Sequence, residues 1–268
     1  MKNLRLFVQR YPLIVFFGLA YGLSWGNFIL TNRNPNIPFL FPFGPLVAAL
    51  ITAAVTGGLR DFASRCLRWR VGLKWYAAAL LVPVFIGLAT IGLSVLLGGP
   101  APSAARIGPW YSLFLIFPMA LVDAPLGEES GWRGFALPRF SANRSPLINT
   151  LILAVLVVGW HIPLVISEPA VIAPYLIAGI ASAVLTNWIY YNTRGSALMA
   201  ILYHSAANTV GLYYAPMLAS GDQARYYWML AAVNWVVAVA VVLLTGPTLQ
   251  RQSGIAKETM EAGKPSTV

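Results

Sequence analysis

The chain alternates between eight long apolar runs and short polar connections. The runs cover residues 11–30, 38–58, 76–98, 110–132, 147–167, 171–191, 195–215 and 226–246. Because an α-helix rises about 1.5 Å per residue, roughly 20 apolar residues are needed to cross about 30 Å of hydrocarbon. The pattern therefore predicts an all-α, polytopic integral membrane helix bundle with about eight transmembrane helices.

The first apolar run allows two interpretations, because a basic segment precedes it as in a secretory signal. The run is long for the hydrophobic part of a signal, and no clear small-x-small cleavage site follows it. We therefore interpret residues 11–30 as the first span. Residues 1–249 then form one transmembrane domain, and residues 250–268 form a polar cytoplasmic tail.

Basic residues predict the orientation of these spans. Fifteen of the 18 Lys and Arg residues lie in the N-terminal segment, in every second connection and in the tail, and the other three are Arg33, Arg106 and Arg225. Cytoplasmic loops carry the excess of Lys and Arg, so both termini are predicted to be cytoplasmic. The net charge of +10 is then a topology signal and an attraction to anionic lipid headgroups, and it predicts no nucleic-acid partner.

Composition excludes other classes of protein. Hydrophobic residues make up 58% of the chain and charged residues 10%, which is far from the composition of a soluble globule or a disordered chain. The single cysteine, Cys66, excludes an intramolecular disulfide. We expect an integral membrane protein, with the lipid bilayer as its surroundings.

Ionisable residues inside an apolar run are costly and therefore point to function. Glu128 and Glu129 lie at the end of the fourth run, followed by Arg133. On a helix Glu129 and Arg133 are four residues apart and share a face, whereas Glu128 is turned about 100° away and stays free. Pro118 and Pro125 predict a kink just before the acids. A headgroup-level end of a span would explain the acids equally well.

Both histidines of the chain lie in apolar runs. His161 is in the fifth run, and His204 and Asn208 share one face of the seventh, four residues apart. At about 1.5 Å per residue, Glu128, His204 and His161 lie roughly 16, 15 and 22 Å from the predicted cytoplasmic ends of their helices. The depths are compatible with one polar layer. Asn149, Asn187 and Asn234 are interpreted as structural hydrogen-bonding residues between helices.

A carboxylate beside an imidazole can deprotonate water, and an imidazole with a carboxamide, as in His204 and Asn208, can stabilise an oxyanion. No G-x-S-x-G elbow is present, so hydrolysis by activated water is the natural hypothesis. Two histidines and a glutamate also form a common zinc set, with Glu128, His161 and His204 as the candidate ligands. The H-E-x-x-H spacing is absent, so metal binding stays an open alternative.

Three motifs resemble those of one family. Glu128-Glu129-x-x-x-Arg133 is similar to EExxxR, His161 to the histidine of FxxxH, and His204-x-x-x-Asn208 to HxxxN. These are the motifs of the CPBP family, the CAAX proteases and bacteriocin-processing or abortive-infection proteins, which include Ras-converting-enzyme-like members. The resemblance covers roughly residues 76–215. The aromatic position of the second motif is Val157 here, so only its histidine carries over.

The resemblance implies an intramembrane endopeptidase in which Glu128 activates water with His161, and His204 and Asn208 stabilise the oxyanion. Glu129 with Arg133 would hold the site together. The family has been described both as glutamate-dependent proteases and as metalloproteases. The preferred interpretation requires no cofactor, and the alternative is a site that binds Zn.

The implied substrate is a membrane-bound or lipidated, CAAX-like peptide, and the expected location is a prokaryotic cell membrane. Two alternatives use the same polar residues, namely a proton-coupled transporter and a non-catalytic membrane scaffold or immunity protein.

Overall fold

The computed structural model describes residues 2–30, 40–101, 108–166, 168–214 and 223–250, and within these ranges the chain is helical and contains no strands. Twelve α-helices are present in these ranges: α1 Lys2–Arg10, α2 Pro12–Leu30, α3 Gly44–Thr56, α4 Leu59–Cys66, α5 Leu73–Leu96, α6 Leu113–Asp123, α7 Pro125–Glu129, α8 Pro146–Trp160, α9 Ile162–Val165, α10 Pro169–Asn192, α11 Ala197–Tyr214 and α12 Gln223–Thr245. The predicted all-α class is confirmed.

Every apolar run of the sequence overlaps at least one of these helices. Three are long and apolar enough to cross a membrane, Leu73–Leu96, Pro169–Asn192 and Gln223–Thr248, and two bent pairs raise the number of candidates to five. Gly44–Thr56 and Pro146–Trp160 are apolar but shorter. The chain is therefore an integral membrane protein, while the number of eight spans and the cytoplasmic position of the termini stay predictions.

The apolar surface of the long helices agrees with a lipid environment. Phe85 on α5 is 77% exposed, and Leu243 and Leu244 on α12 are 80% and 82% exposed. Such large apolar side chains are unfavourable in water but not in hydrocarbon.

The helices bend sharply at two places, and in both the second helix begins with a proline. Helix α1 meets α2 at 97°, so the basic N-terminal segment is a separate helix. The pair Trp110–Asp123 and Pro125–Arg139 bends by 42°. Ala124 lies at this break with φ −133° and ψ −50°, and Pro125 is the first residue of α7. Pro125 has no N–H to continue the ladder of α6, and the predicted kink before the acids is confirmed.

Basic and apolar residues alternate from residue 59 to 75, a pattern that predicts an amphipathic helix on the inner leaflet, but only part of this connection is helical. Helix α4 ends at Cys66, residues 67–72 are not helical, and Leu73 already begins α5. Within α4, Arg65 pairs with Asp61 at 3.0 Å. The hydrogen bond from Arg65 holds the pKa of Asp61 below its usual value.

Two apolar clusters hold the helices together and surround the candidate site. Phe16, Trp132, Phe135 and Trp160 are fully buried in the first cluster, which joins α2 and α8 to the segment after α7. The second cluster joins α5, α10, α11 and α12. The segment that carries the two acids packs against α3 on one side and α11 on the other.

The chain positions that the structure does not describe include several with predicted roles. Arg33 and Arg106 of the predicted outer side lie outside the described residues, and so does the predicted polar tail beyond Gln250.

Candidate active site

The two adjacent acids lie at the end of α7, where the helix widens. A π-helical segment, Ser130–Ala136, follows directly and carries Arg133. Glu128, Glu129 and Arg133 are each only 3–4% exposed. Single π-helical turns occur frequently at functional sites, because the inserted residue changes the direction of the side chains around it.

Two glycines allow this segment to approach α3. A β-carbon on Gly131 would lie 2.5 Å from Cβ of Pro45, and one on Gly127 would lie 2.9 Å from Cα of Phe43. Heavy atoms do not approach so closely, so only glycine fits at these positions. The spacing of four residues places both glycines on the face toward α3, one on each side of the acids.

Glu129 forms the ion pair that its spacing predicts. The NH1 group of Arg133 lies 3.0 Å from Oε1 and 2.9 Å from Oε2 of Glu129. Glu129 also contacts a histidine, which the sequence did not predict, because Nδ1 of His204 lies 2.9 Å from its Oε1. An ionised carboxylate only accepts hydrogen bonds, so Nδ1 of His204 carries a hydrogen and Nε2 is the nitrogen left for other partners.

Glu128 faces the other histidine. Its Oε2 lies 3.5 Å from Nε2 of His161, and this oxygen makes no hydrogen bond to any described residue. His161 caps α8 at the break before α9, and its Nδ1 donates to the carbonyl oxygen of Val157 at 2.7 Å. The backbone contact therefore fixes the ring so that Nε2 points to the carboxylate.

The helices that carry His161 and His204 both lie beside the two acids. Glu128 interacts electrostatically with His161, with His204 and with Arg133. One guanidinium and two carboxylates leave this buried cluster with a net charge of −1 while both imidazoles are neutral.

Asn208 lies one turn after His204 on α11, a continuous helix. The two side chains therefore share a face, as the spacing of four residues predicts. The carboxamide of Asn208 is partly buried and makes no hydrogen bond to another described residue.

Two buried residues extend the cluster beyond the predicted set. Nε of Arg133 donates to Oδ1 of Asn187 at 2.9 Å, and Nδ2 of Asn187 donates to Oγ1 of Thr150 at 3.0 Å. An asparagine in an apolar run was a signal for interhelical bonding, but nothing in the sequence pointed to Arg133 as its partner. A third residue, Tyr175 on α10, has its ring 6.0 Å from the ring of His161, and no pattern in the sequence singled it out.

The carboxylates and imidazoles at this site are of the types that bind zinc, but their spacing along the sequence is not that of a zinc motif. Among the residues that the structure describes, no group of three or more His, Cys, Asp or Glu side chains is arranged to hold a metal ion. Metal binding by Glu128, His161 and His204 stays an open alternative to the metal-free interpretation.

A comparison with protein families supports the interpretation of the three sequence motifs. Residues 109–210 match the model described as "Type II CAAX prenyl endopeptidase Rce1-like". This range contains all three motifs and every residue of the buried cluster. A search of curated proteins finds no match to the chain. The resemblance to the CPBP and CAAX protease family is confirmed over these residues.

Proposed function

We propose that the chain hydrolyses a peptide bond of a membrane-bound or lipidated, CAAX-like peptide, because residues 109–210 match the Rce1-like model of type II CAAX prenyl endopeptidases. One observation carries the proposal. A buried carboxylate, Glu128, has an oxygen without a hydrogen bond to a described residue, and that oxygen faces Nε2 of His161. Such a group is costly to bury, and its cost is offset where a reacting water completes its hydrogen bonds.

The first step is the activation of a water by Glu128 and His161. Their separation of 3.5 Å is too long for a direct hydrogen bond of ordinary strength, and it suits two groups that contact the same water. Glu128 accepts a proton from the water as its oxygen attacks the carbonyl carbon of the substrate. Nε2 of His161 keeps the carboxylate and the water in line, since its ring is fixed by Val157.

The second step is the stabilisation of the oxyanion that this attack creates. We assign this role to His204 and Asn208, whose side chains share one face of α11. Since Nδ1 of His204 already donates to Glu129, its Nε2 can donate to the oxyanion only when the ring carries both hydrogens. The carboxylate of Glu129 stabilises that charged ring, and Arg133 holds this carboxylate in place.

The last step is the cleavage of the C–N bond. The tetrahedral intermediate collapses, its oxyanion returns to a carbonyl, and the proton taken by Glu128 passes to the leaving nitrogen. The products are a new carboxylate and a new amine, and all atoms come from the peptide and one water.

Replacing Glu128 by Gln tests this proposal directly, because Gln keeps the shape of the side chain and cannot accept the proton. We expect kcat on an internally quenched farnesylated CaaX peptide to fall by at least about 100-fold while the protein remains folded. The matched control is Glu168→Gln, which changes an exposed acid at the start of α10 and should leave kcat unchanged. Wild-type cleavage by the Glu128→Gln variant would remove the assigned role. Proton flux in proteoliposomes that is lost with Glu128 would favour the transporter.

Removal of metal ions tests the preferred form of the reaction, in which water is activated by protein groups alone. We expect the purified protein to retain its cleavage rate after treatment with chelators of increasing affinity, because no step above uses a metal. Elemental analysis of the treated sample is the required control. Loss of activity that returns on addition of Zn²⁺ would instead assign Glu128, His161 and His204 as ligands.

A further inference from the structure

The guanidinium group of Arg133 forms hydrogen bonds with residues of two different helices. Its NH1 group contacts Glu129, while its Nε–H donates to Oδ1 of Asn187 on α10. A guanidinium has no acceptor atom, so this contact identifies the oxygen of the Asn187 amide and turns its NH₂ group toward Thr150 on α8. Asn187 and Thr150 are both fully buried.

The bonds form an unbroken series through the protein interior. They run from Thr150 to Asn187, then to Arg133, Glu129 and finally Nδ1 of His204. Five helical segments, α8, α10, the π-helical segment, α7 and α11, each contribute one member. Each distance in the series lies between 2.9 and 3.0 Å, which is typical of well-formed hydrogen bonds.

The contact with Nε determines which way the guanidinium plane faces. The donors of an arginine lie in one rigid plane, so an acceptor at Nε restricts rotation of that plane and directs NH1 toward Glu129. Oε1 of Glu129 is shared between Arg133 and His204. A guanidinium that rotated away would change the direction in which Glu129 holds the His204 ring.

We propose that Asn187 is a positioning residue of the active site, acting on His204 through Arg133 and Glu129, with Thr150 holding the Asn187 amide from behind. The proposal rests on the proposed function for its catalytic consequence. The hydrogen bond to Arg133 distinguishes Asn187 from the other buried asparagines. Asn234 on α12, for example, donates to the carbonyl oxygen of Leu230 in its own helix.

A graded series of variants tests the catalytic consequence. For Asn187→Ala we expect kcat per folded molecule on the farnesylated CaaX peptide to fall about 10- to 100-fold with little change in KM, as for other residues that orient catalytic groups. Thr150→Val, which keeps the shape but removes the hydroxyl, should lower kcat less, and Thr150→Ser should restore it. Asn234→Ala is the matched control, a buried asparagine outside the series, and should keep wild-type kcat.

A purely structural role predicts a different pattern. The variants would then lose thermal stability, while the fraction that remains folded would cleave at the wild-type rate. Wild-type kcat in folded Asn187→Ala protein would overturn the proposal, and if that variant does not fold, wild-type kcat in Thr150→Val would do so.

A second measurement does not depend on cleavage. The side-chain Nε–H resonance of Arg133, assigned by its loss in Arg133→Lys, should exchange slowly with water in the wild type and in Asn234→Ala. In Asn187→Ala we expect exchange that is at least about tenfold faster, because the acceptor is gone. Unchanged exchange would overturn the series of bonds. If the wild type does not cleave the peptide, the proposed substrate fails while this measurement still decides the role of Asn187 toward Arg133.

Discussion

Glu128 and Glu129 are neighbours in the chain, yet their surroundings give them opposite properties. Glu129 contacts Arg133 and His204, each at 2.9 Å. Oε2 of both acids makes no hydrogen bond to a described residue, but that of Glu129 is paired with the guanidinium of Arg133, whereas that of Glu128 faces Nε2 of His161 at 3.5 Å. Two adjacent acids on a helix point in directions about 100° apart, which gives one carboxylate the ion pair and leaves the other for the proposed reaction.

The smallest residues near the acids matter as much as the charged ones. Gly131→Ala would place a methyl group 2.6 Å from the carbonyl carbon of Pro45, where the backbone of α3 cannot move freely. We expect a loss of about 1–3 kcal/mol in the free energy of unfolding, typical of overpacking, and a lower kcat because the acids shift. Thermal unfolding and peptide cleavage measure the two effects.

The control for this substitution is Gly22→Ala on α2. A β-carbon there has no heavy atom of the described chain within 4 Å. Its stability and cleavage rate should match the wild type. Equal behaviour of the two alanine variants would show that the close approach to α3 is unimportant.

At the scale of elements, breaks in the helices place the proposed catalytic groups. Glu128 follows the break between α6 and α7, and His161 lies at the break between α8 and α9. If both helices were straight, the depth of each side chain in the membrane and its direction would be determined by the helix axis alone. Irregular backbone inside a membrane protein is tolerated where it is buried in protein or lines a cavity.

Pro125→Ala tests the first of these breaks. Alanine supplies an N–H that can continue the hydrogen bonds of α6, so we expect the bend of 42° to decrease and the two acids to move relative to the histidines. A displacement on the order of 1 Å predicts a fall in kcat of about 10- to 100-fold. Pro83→Ala is the control, because Pro83 lies inside the continuous helix α5, which carries none of the proposed catalytic residues. Equal kcat in both variants would contradict a role for the break.

On the scale of the whole molecule, charge and apolar surface together describe how the chain lies in the bilayer. The exposed residues of α5 and α12 are apolar, while the connection after α4 is basic. Anionic headgroups of the cytoplasmic leaflet attract such a connection. The proposed substrate, a peptide held at the membrane by a lipid, would meet the site from the same surface.

The predicted orientation is testable with single cysteines in a Cys66→Ala background. Arg70→Cys should react with a membrane-impermeant maleimide only in inside-out vesicles, and Arg225→Cys only in right-side-out vesicles or intact cells. Both residues are exposed in the structure. Labelling of both positions from the same side would show that the number of spans between them is not the predicted one.

Much of the fold was predictable, because hydrophobic runs of membrane length have few alternatives to helices. The positions of the helices, the kink before the acids and the pairing of Glu129 with Arg133 all followed from local spacing. The helical part of the connection from residue 59 to 75 was shorter than its pattern indicates. Helix α5 begins already at Leu73 and uses residues that alternate in the same basic and apolar manner.

The sequence alone determined which residue types are buried in the bilayer, since a charged or amide side chain in an apolar run is visible without a structure. Only the tertiary structure decided their partners. The contact of Glu129 with His204 and that of Arg133 with Asn187 join residues 75 and 54 positions apart. Their hydrogen bonds depend on how helices pack and rotate, and helix packing is determined by the whole set of side-chain contacts rather than by local spacing.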